Sequence, residues 1–386
     1  MLSAAAAPAG RPATRAQLVV VRSLEVFVFA GLPVICFAFF SHLLIGSGAL
    51  FDFRTFWESG RAVLHGHSPY PSVLPDVARA TTFRPFVYPV PAAIVMVPFA
   101  VLPAAVAEAL WVLTSLAAVV GALWLLGIRD WRCYGIVFVW PSVWSGLVNG
   151  SATLILTFAC AALWRFRSKP YLAGVLVAIL VVFKLYLWPI AVWLLATRRI
   201  RAAVFAFGVT VVASVGGWAF VGFAGLAEYP KLLARLTSLV AGESYSPYAF
   251  ARSLGFGVSA GRLSAMCLGG VLLAAVVVWS RRRHGDEAAF LLAVAASLAL
   301  APIVWPHYWA MLVVVVAVAS PELDVGWLLP LAGWFVSAAW SGASPVWIGL
   351  ALVVYGLTIV WAVRRISSGT GSLTRFRPAA LAAAVK

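Results

Sequence analysis

Long apolar runs follow one another along almost the whole chain, separated only by short polar or basic stretches. A helix needs roughly 20 mostly apolar residues to cross a bilayer. The runs fall at about 24–45, 88–103, 104–127, 133–148, 150–164, 171–196, 202–224, 262–280, 288–304, 307–320, 327–341 and 345–363, about 12 spans. This pattern predicts an all-α polytopic transmembrane bundle. Composition agrees: 63% of the residues are hydrophobic and 10% charged. A soluble domain is usually about a quarter charged, so this chain could not cover its own surface with polar groups. The first run follows Arg11, Arg15 and Arg22 and lacks a clear cleavage site, so it is read as a retained span rather than a signal peptide.

The net charge of +16 comes from 28 Lys and Arg against 12 Asp and Glu. The basic residues form short clusters between apolar runs, as loops on the cytoplasmic side do, and no basic-aromatic domain suggests nucleic acid. The N-terminal arginines, Arg198-Arg199-Ile200-Arg201, Arg281-Arg282-Arg283 and Arg364-Arg365 fit one side and place both termini in the cytoplasm. One cluster conflicts. In the 12-span count Arg165-Phe166-Arg167-Ser168-Lys169 falls outside, as do Arg129 and Arg132. Either 133–148 and 150–164 are not simple spans, or 171–196 breaks at Pro189 into two. Cys36, Cys133, Cys160 and Cys267 are widely spaced in or beside apolar runs and form neither a metal motif nor a disulfide framework.

This gives a disordered cytoplasmic N-terminus over 1–20, a single transmembrane domain over 21–365 and a disordered cytoplasmic tail over 366–386. Two long hydrophilic loops, about 46–87 and 225–261, fall on the outer side. Loops of that length without a domain of their own are commonly functional. The first carries Asp52, Glu58 and Asp76, and its apolar spacing over 51–58 predicts an amphipathic helix lying on the membrane surface.

Asp52 stands just beyond the first span between Phe51 and Phe53. Partial desolvation would make its carboxylate a better base; as an Asp ahead of a helix it would equally serve as an N-cap. Lys184 lies within an apolar run, where a charge costs roughly 2.5–3.5 kcal/mol on insertion scales and marks a candidate site, although a lysine can also snorkel to the interface. His307, in Trp305-Pro306-His307-Tyr308-Trp309, is either an interfacial residue among belt aromatics or a proton relay to Asp52. Arg54, Arg61 and Arg252 could share an anion with Lys184. Glu58, Tyr88, Asn149 and, in the second loop, Tyr248 with Glu243 are the candidates for sugar or acceptor contacts. His65 and His67 have no third ligand in view, so no metal site is expected.

Several of these residues stand in a recognisable order. After the first span come Asp52 entering a helix, Gly66-His67-Ser68-Pro69-Tyr70, and Tyr88-Pro89-Val90-Pro91 opening the next run. Asn149-Gly150, Lys184 ahead of Leu185-Tyr186-Leu187-Trp188-Pro189, and Trp305-Pro306-His307-Tyr308 follow. The order resembles glycosyltransferase family 87, polyprenol-phosphate-mannose-dependent transferases of the GT-C fold, over roughly residues 20–320. The family's Gln before the Asn-like turn is missing here. The resemblance implies that Asp52 is the catalytic base in an extracytoplasmic site. It also implies a polyprenyl-phosphate sugar (most simply mannose) as donor, and a glycolipid or polysaccharide hydroxyl as acceptor. No cofactor is called for, because the lipid-linked sugar is a co-substrate, and no Asp-x-Asp metal motif is present. A multi-span transporter or lipid flippase is the alternative. Such proteins concentrate ionisable groups within spans and often carry inverted repeats, whereas this chain gathers acids in its first outer loop.

Overall fold

A computed structural model describes residues 15–45, 49–71, 85–283, 285–337 and 344–368. Arg11, Asp76, 338–341 of the eleventh run and most of the tail lie outside them. Every regular element among the described residues is helical. α1 (Arg15–Val26) and α2 (Leu32–Ile45) are joined through a π turn over Phe27–Gly31. α3 (Phe51–Leu64), the short α4 (Val90–Val95) and α5 (Val97–Ala100), and the long α6 (Ala104–Leu125) follow. Next come α7 (Trp131–Val137), α8 (Pro141–Asn149), α9 (Thr153–Phe166), α10 (Pro170–Phe183), α11 (Pro189–Ala196) and α12 (Ile200–Phe220). The second half contains α13 (Tyr229–Leu239), α14 (Pro247–Ser253), α15 (Val258–Ser280), α16 (Gly285–Leu300), α17 (Leu312–Ala319), α18 (Val325–Leu328), α19 (Gly333–Ser337) and α20 (Pro345–Ser367). Prolines open α8, α10, α11, α14 and α20, positions where the missing N–H leaves no bond unmade.

Five helical stretches are long and apolar enough to cross a membrane: Val19–Phe39, Ala104–Leu125, Ile200–Phe220, Val258–Ser280 and Pro345–Ser367. Several of the other expected spans are broken or short. The run 88–103 is divided between α4 and α5, and 133–148 breaks ahead of Pro141. The run 307–320 begins as a 3-10 segment over Pro306–Met311. The N-terminal helix starts at Arg15, inside the stretch expected to be disordered.

The conflicting basic cluster is resolved by a break in 171–196. At Lys184 the backbone is extended (φ −137°, ψ 100°), and a 3-10 turn over Leu185–Leu187 leads into α11. The break precedes Pro189, because the 3-10 turn lies between Lys184 and the proline that opens α11. Arg167, before α10, and Arg199, after α11, both pair with Asp286 at the start of α16, at 3.1 and 2.7 Å. The segment therefore runs out and back, with both ends on one face of the bundle and Lys184 at the turn. Fourteen residues carry α10 about 21 Å from that face. The leg α10 packs on α9 and α12, and α11 packs on α15 and α16.

The helix expected in the loop 46–87 is present as α3, but its apolar face packs into protein instead of lying on the membrane surface. Phe53, Phe56, Ser59, Gly60 and Val63 of α3 are buried in protein. Phe53 and Phe56 pack against Trp111 and Tyr88, at 5.1 and 4.4 Å between ring centroids. Gly60 allows α5 to approach: a Cβ there would stand 3.0–3.1 Å from Met96 and Ala100. The second loop is also mostly helical, through α13 and α14.

Candidate active site

Asp52 occupies the first turn of α3. The N-cap is Leu50, in the left-handed region (φ 54°, ψ 33°) and without a side-chain cap, so Asp52 is not the N-cap. A non-glycine residue in that conformation costs about 1–2 kcal/mol, and the surroundings hold it there. Leu50 N–H donates to the Val148 carbonyl at 2.7 Å. Gly150, itself at φ 65°, lies so close that a Cβ would come within 2.7 Å of Phe53 Cβ. Trp111 Nε1 donates to the Gly150 carbonyl at 2.8 Å. The Asn149-Gly150 turn thus fixes the start of α3, and with it Asp52. The Asn149 side chain donates back to Ser145 O at 2.8 Å, so it shapes this turn.

Three separate segments meet around that carboxylate. His307 Nε2 lies 3.6 Å from Asp52 Oδ2, with His307 buried and Asp52 partly open. That is an ion-pair distance but too long for a formed hydrogen bond, as is common for catalytic groups before substrate arrives. Lys184 comes from the α10–α11 turn. Its Nζ stands 3.5 Å from the centre of the Tyr308 ring and 5.6 and 5.8 Å from those of Tyr88 and Tyr186. Tyr186 and Tyr308 stack on each other at 5.1 Å. His307 and Tyr308 are consecutive residues, so one short segment faces both the Asp52 carboxylate and the Lys184 ammonium.

Lys184 is 3% exposed, and its ammonium has no hydrogen-bond partner. Burial without such a partner is costly. Aromatic faces recover up to about 2 kcal/mol when the cation is desolvated. A cation held this way against ring faces leaves its N–H bonds available to an incoming anion.

The remaining candidates divide. Tyr88 joins the cluster. Arg54 is exposed and pairs with Glu108 at 2.8 Å. Arg61 is exposed, with its guanidinium 4.9 Å from the centre of the Trp57 ring. Arg252 is exposed and donates to the Phe256 carbonyl at 2.6 Å. Glu58 and Glu243 are exposed. Tyr248 is buried, and a Cβ on Gly261 would stand 2.9 Å from its ring. The structure therefore joins Asp52, His307, Lys184 and Tyr88 and engages the three arginines elsewhere. Among the described residues no cluster of three or more His, Cys, Asp or Glu could hold a metal ion.

Tyr308 and Tyr186 belong to the cluster without having been assigned a role from sequence. The signal was adjacency: each is within two residues of a candidate. Ser244, one of the small hydroxyls of the second loop that suit sugar edges, has a structural role instead. Fully buried, it accepts from Val304 N–H at 2.9 Å and donates to Ser246 Oγ at 3.2 Å. Ser246 Oγ donates to the Pro302 carbonyl at 2.9 Å, and Tyr245 N–H donates to the Val304 carbonyl at 2.8 Å. These bonds lace the second loop to the strand-like segment that delivers His307.

The profile of glycosyltransferase family 87 matches residues 86–306, more than half of the chain. The chain belongs to glycosyltransferase family 87. Tyr88, Asn149, Lys184, Tyr248 and Arg252 lie within the match; Asp52 precedes it and His307 follows immediately. Two curated proteins are similar in sequence, both polyprenol-phosphate-mannose-dependent alpha-(1-2)-phosphatidylinositol pentamannoside mannosyltransferases. That of Mycobacterium tuberculosis (strain CDC 1551 / Oshkosh) is 29% identical over 247 residues, 59% of this chain and 57% of its own length. That of Mycolicibacterium smegmatis (strain ATCC 700084 / mc(2)155) is 28% identical over 250 residues, 59% of each chain. The match thus spans under two thirds of either relative. No solved structure matches this family 87 chain.

Proposed function

We propose that this family 87 protein is a membrane glycosyltransferase moving a sugar, most simply mannose, from a polyprenyl-phosphate donor to a hydroxyl of a cell-envelope glycolipid or polysaccharide. The observation that carries the reading is that neighbouring residues join a partly open carboxylate to a buried ammonium lacking a hydrogen-bond partner: His307 lies 3.6 Å from Asp52, and the Tyr308 ring lies 3.5 Å from Lys184 Nζ. Asp52 takes the proton from the acceptor hydroxyl. The oxygen attacks the anomeric carbon as the bond from that carbon to the phosphate oxygen breaks, and its electron pair leaves with the polyprenyl phosphate. The extra negative charge develops beside Lys184, where a fixed cation stabilises it most because water is excluded. His307 steadies Asp52 as it becomes protonated, and Tyr88 and Tyr308 border the sugar. One carboxylate acting as base gives a single displacement with inversion.

We take the basic face carrying Arg167, Arg199 and Arg281–Arg283 as the cytoplasmic one; in this reading Asp52 faces the outer side, both termini are inside, and the donor lies in the outer leaflet. Nucleotide sugars are then out of reach.

The test uses the purified chain with radiolabelled polyprenyl-phospho-mannose and a panel of envelope glycolipids. Asp52→Asn is expected to lower transfer by about 10²–10⁴-fold while the protein remains folded. Transfer at the wild-type rate by the variant would overturn the reading, and substrate counter-flow in liposomes that ignores the substitution would favour a transporter.

A further inference from the structure

The outer face of α12 carries a second feature, at the opposite end of the helix from Asp52. A groove of about 760 Å³ runs along its first half, lined by Tyr171, Arg201, Val204, Phe205, Gly208 and Val212 among others. One wall is built by Tyr171 and Phe205, whose rings meet edge to face at 5.2 Å. The floor is left open at Gly208, where an added Cβ would meet nothing within 4 Å. Eleven residues separate Arg201 from Val212, about 16 Å of helix, enough to seat a length of acyl chain.

The basic string at the mouth divides in two. Arg199 turns inward and binds Asp286 with both guanidinium nitrogens, at 2.7 and 2.8 Å. Arg201 stays exposed at the end of the apolar trough, and among the described residues no carboxylate pairs with it. Arg198, also exposed, and Lys169 stand at the same face. A guanidinium suits a phosphate diester geometrically, and basic pockets between helices at a membrane face bind anionic head groups.

We propose that this groove binds one anionic phospholipid of the leaflet on the Asp286 side, its phosphate on Arg201 and an acyl chain over Gly208. The occupant is a diacyl lipid rather than the donor. The far end of α12 is already closed over the Asp52 side, where Trp218 stacks on Tyr70 at 5.2 Å and Gly217 packs against Pro91. The inference does not depend on the proposed reaction.

It is tested by native mass spectrometry of the full chain in micelles. The arms are phosphatidylglycerol, phosphatidylcholine of the same acyl composition, and a polyprenyl phosphate. Wild type should bind phosphatidylglycerol about tenfold or more tightly than phosphatidylcholine, a difference of about 1.4 kcal/mol. Arg201→Gln should erase that preference. Gly208→Phe, whose Cβ has open space around it, should fill the floor and weaken both phospholipids. Equal binding of the two phospholipids by wild type, or an undiminished preference in Arg201→Gln, would overturn the site. Tighter binding of the polyprenyl phosphate, lost in Gly208→Phe, would reassign the groove to the donor lipid and overturn it equally.

Discussion

Lys184 is the residue whose energetics and chemistry pull in opposite directions. Its ammonium is buried over the Tyr308 ring and makes no hydrogen bond, a state that weakens the fold and suits anion capture. Lys184→Met keeps the stem and removes the charge. The prediction is thermal stability unchanged or raised, by up to about 2 kcal/mol, with transfer down by about 10²–10³-fold. Differential scanning fluorimetry beside the transfer assay checks both, and a variant that lost stability but kept its turnover would contradict this account. Of the candidate residues, Asp52 and Lys184 could be read from sequence because a carboxylate at a membrane edge and a cation inside an apolar run are conspicuous singly. The arginines were not resolvable in that way. Arg54 has a carboxylate partner, Glu108, 54 positions away, and nothing local to Arg54 announces it.

At the scale of elements, the site depends on how turns are fastened. His307 is carried by a 3-10 segment that starts at Pro306, and the chain just before it is held by Ser244 and Ser246 from the second loop. Ser244→Ala would leave the buried Val304 and Ser246 N–H groups without their acceptor. A loss of about 1–3 kcal/mol in stability is expected, with a fall in kcat and little change in KM as His307 loses its position. Steady-state kinetics with both substrates separates that outcome from one in which only KM moves, which would place the loop on the acceptor instead. The helix over Phe51–Leu64 was legible because its apolar spacing is periodic. Its partner was not, because the same stripe would serve equally against lipid or against Met96, Ala100 and Trp111. The break at Lys184 was legible only as a conflict in charge distribution. Proline signals where a helix can start, and here the chain leaves the helix five residues earlier.

For the molecule as a whole, the face away from the candidate site is tied by two separate ionic networks. Opposite Asp52, and apart from the Asp286 cluster, Asp130 accepts from Arg132 at 2.9 Å through each oxygen and from Leu323 N–H at 3.1 Å. Arg132 reaches on to Glu25 at 3.2 Å. Arg365, at the end of α20, pairs with Asp324 at 3.1 Å. The Arg132 hydrogen bonds hold the Asp130 carboxyl below its ordinary range. Its folded value lies under the unfolded one of about 3.9, so the stabilisation is complete above that value and fades as pH falls through the folded one. Wild type should therefore unfold at a higher temperature than Asp130→Asn near neutral pH, and the gap should close below about pH 4. A gap that persisted unchanged to pH 3 would refute the assignment. Membrane embedding and the multi-helix class were plain in the sequence, since apolar length and the scarcity of charge set them directly. The number and course of the spans were not, because a hydropathic run has no direction and 171–196 reads alike as one passage or as a there-and-back excursion.

That excursion leaves Lys184 on a cantilever. Its two supports, Arg167 and Arg199, are moored to a single aspartate at the far face, and the tip itself is held by ring contacts, Tyr186 stacking on Tyr308. The height of the ammonium in the bundle is therefore set by how closely the legs are gripped along their length, as where Gly174 lies so near the Ala202 carbonyl that a Cβ would stand 2.9 Å from it.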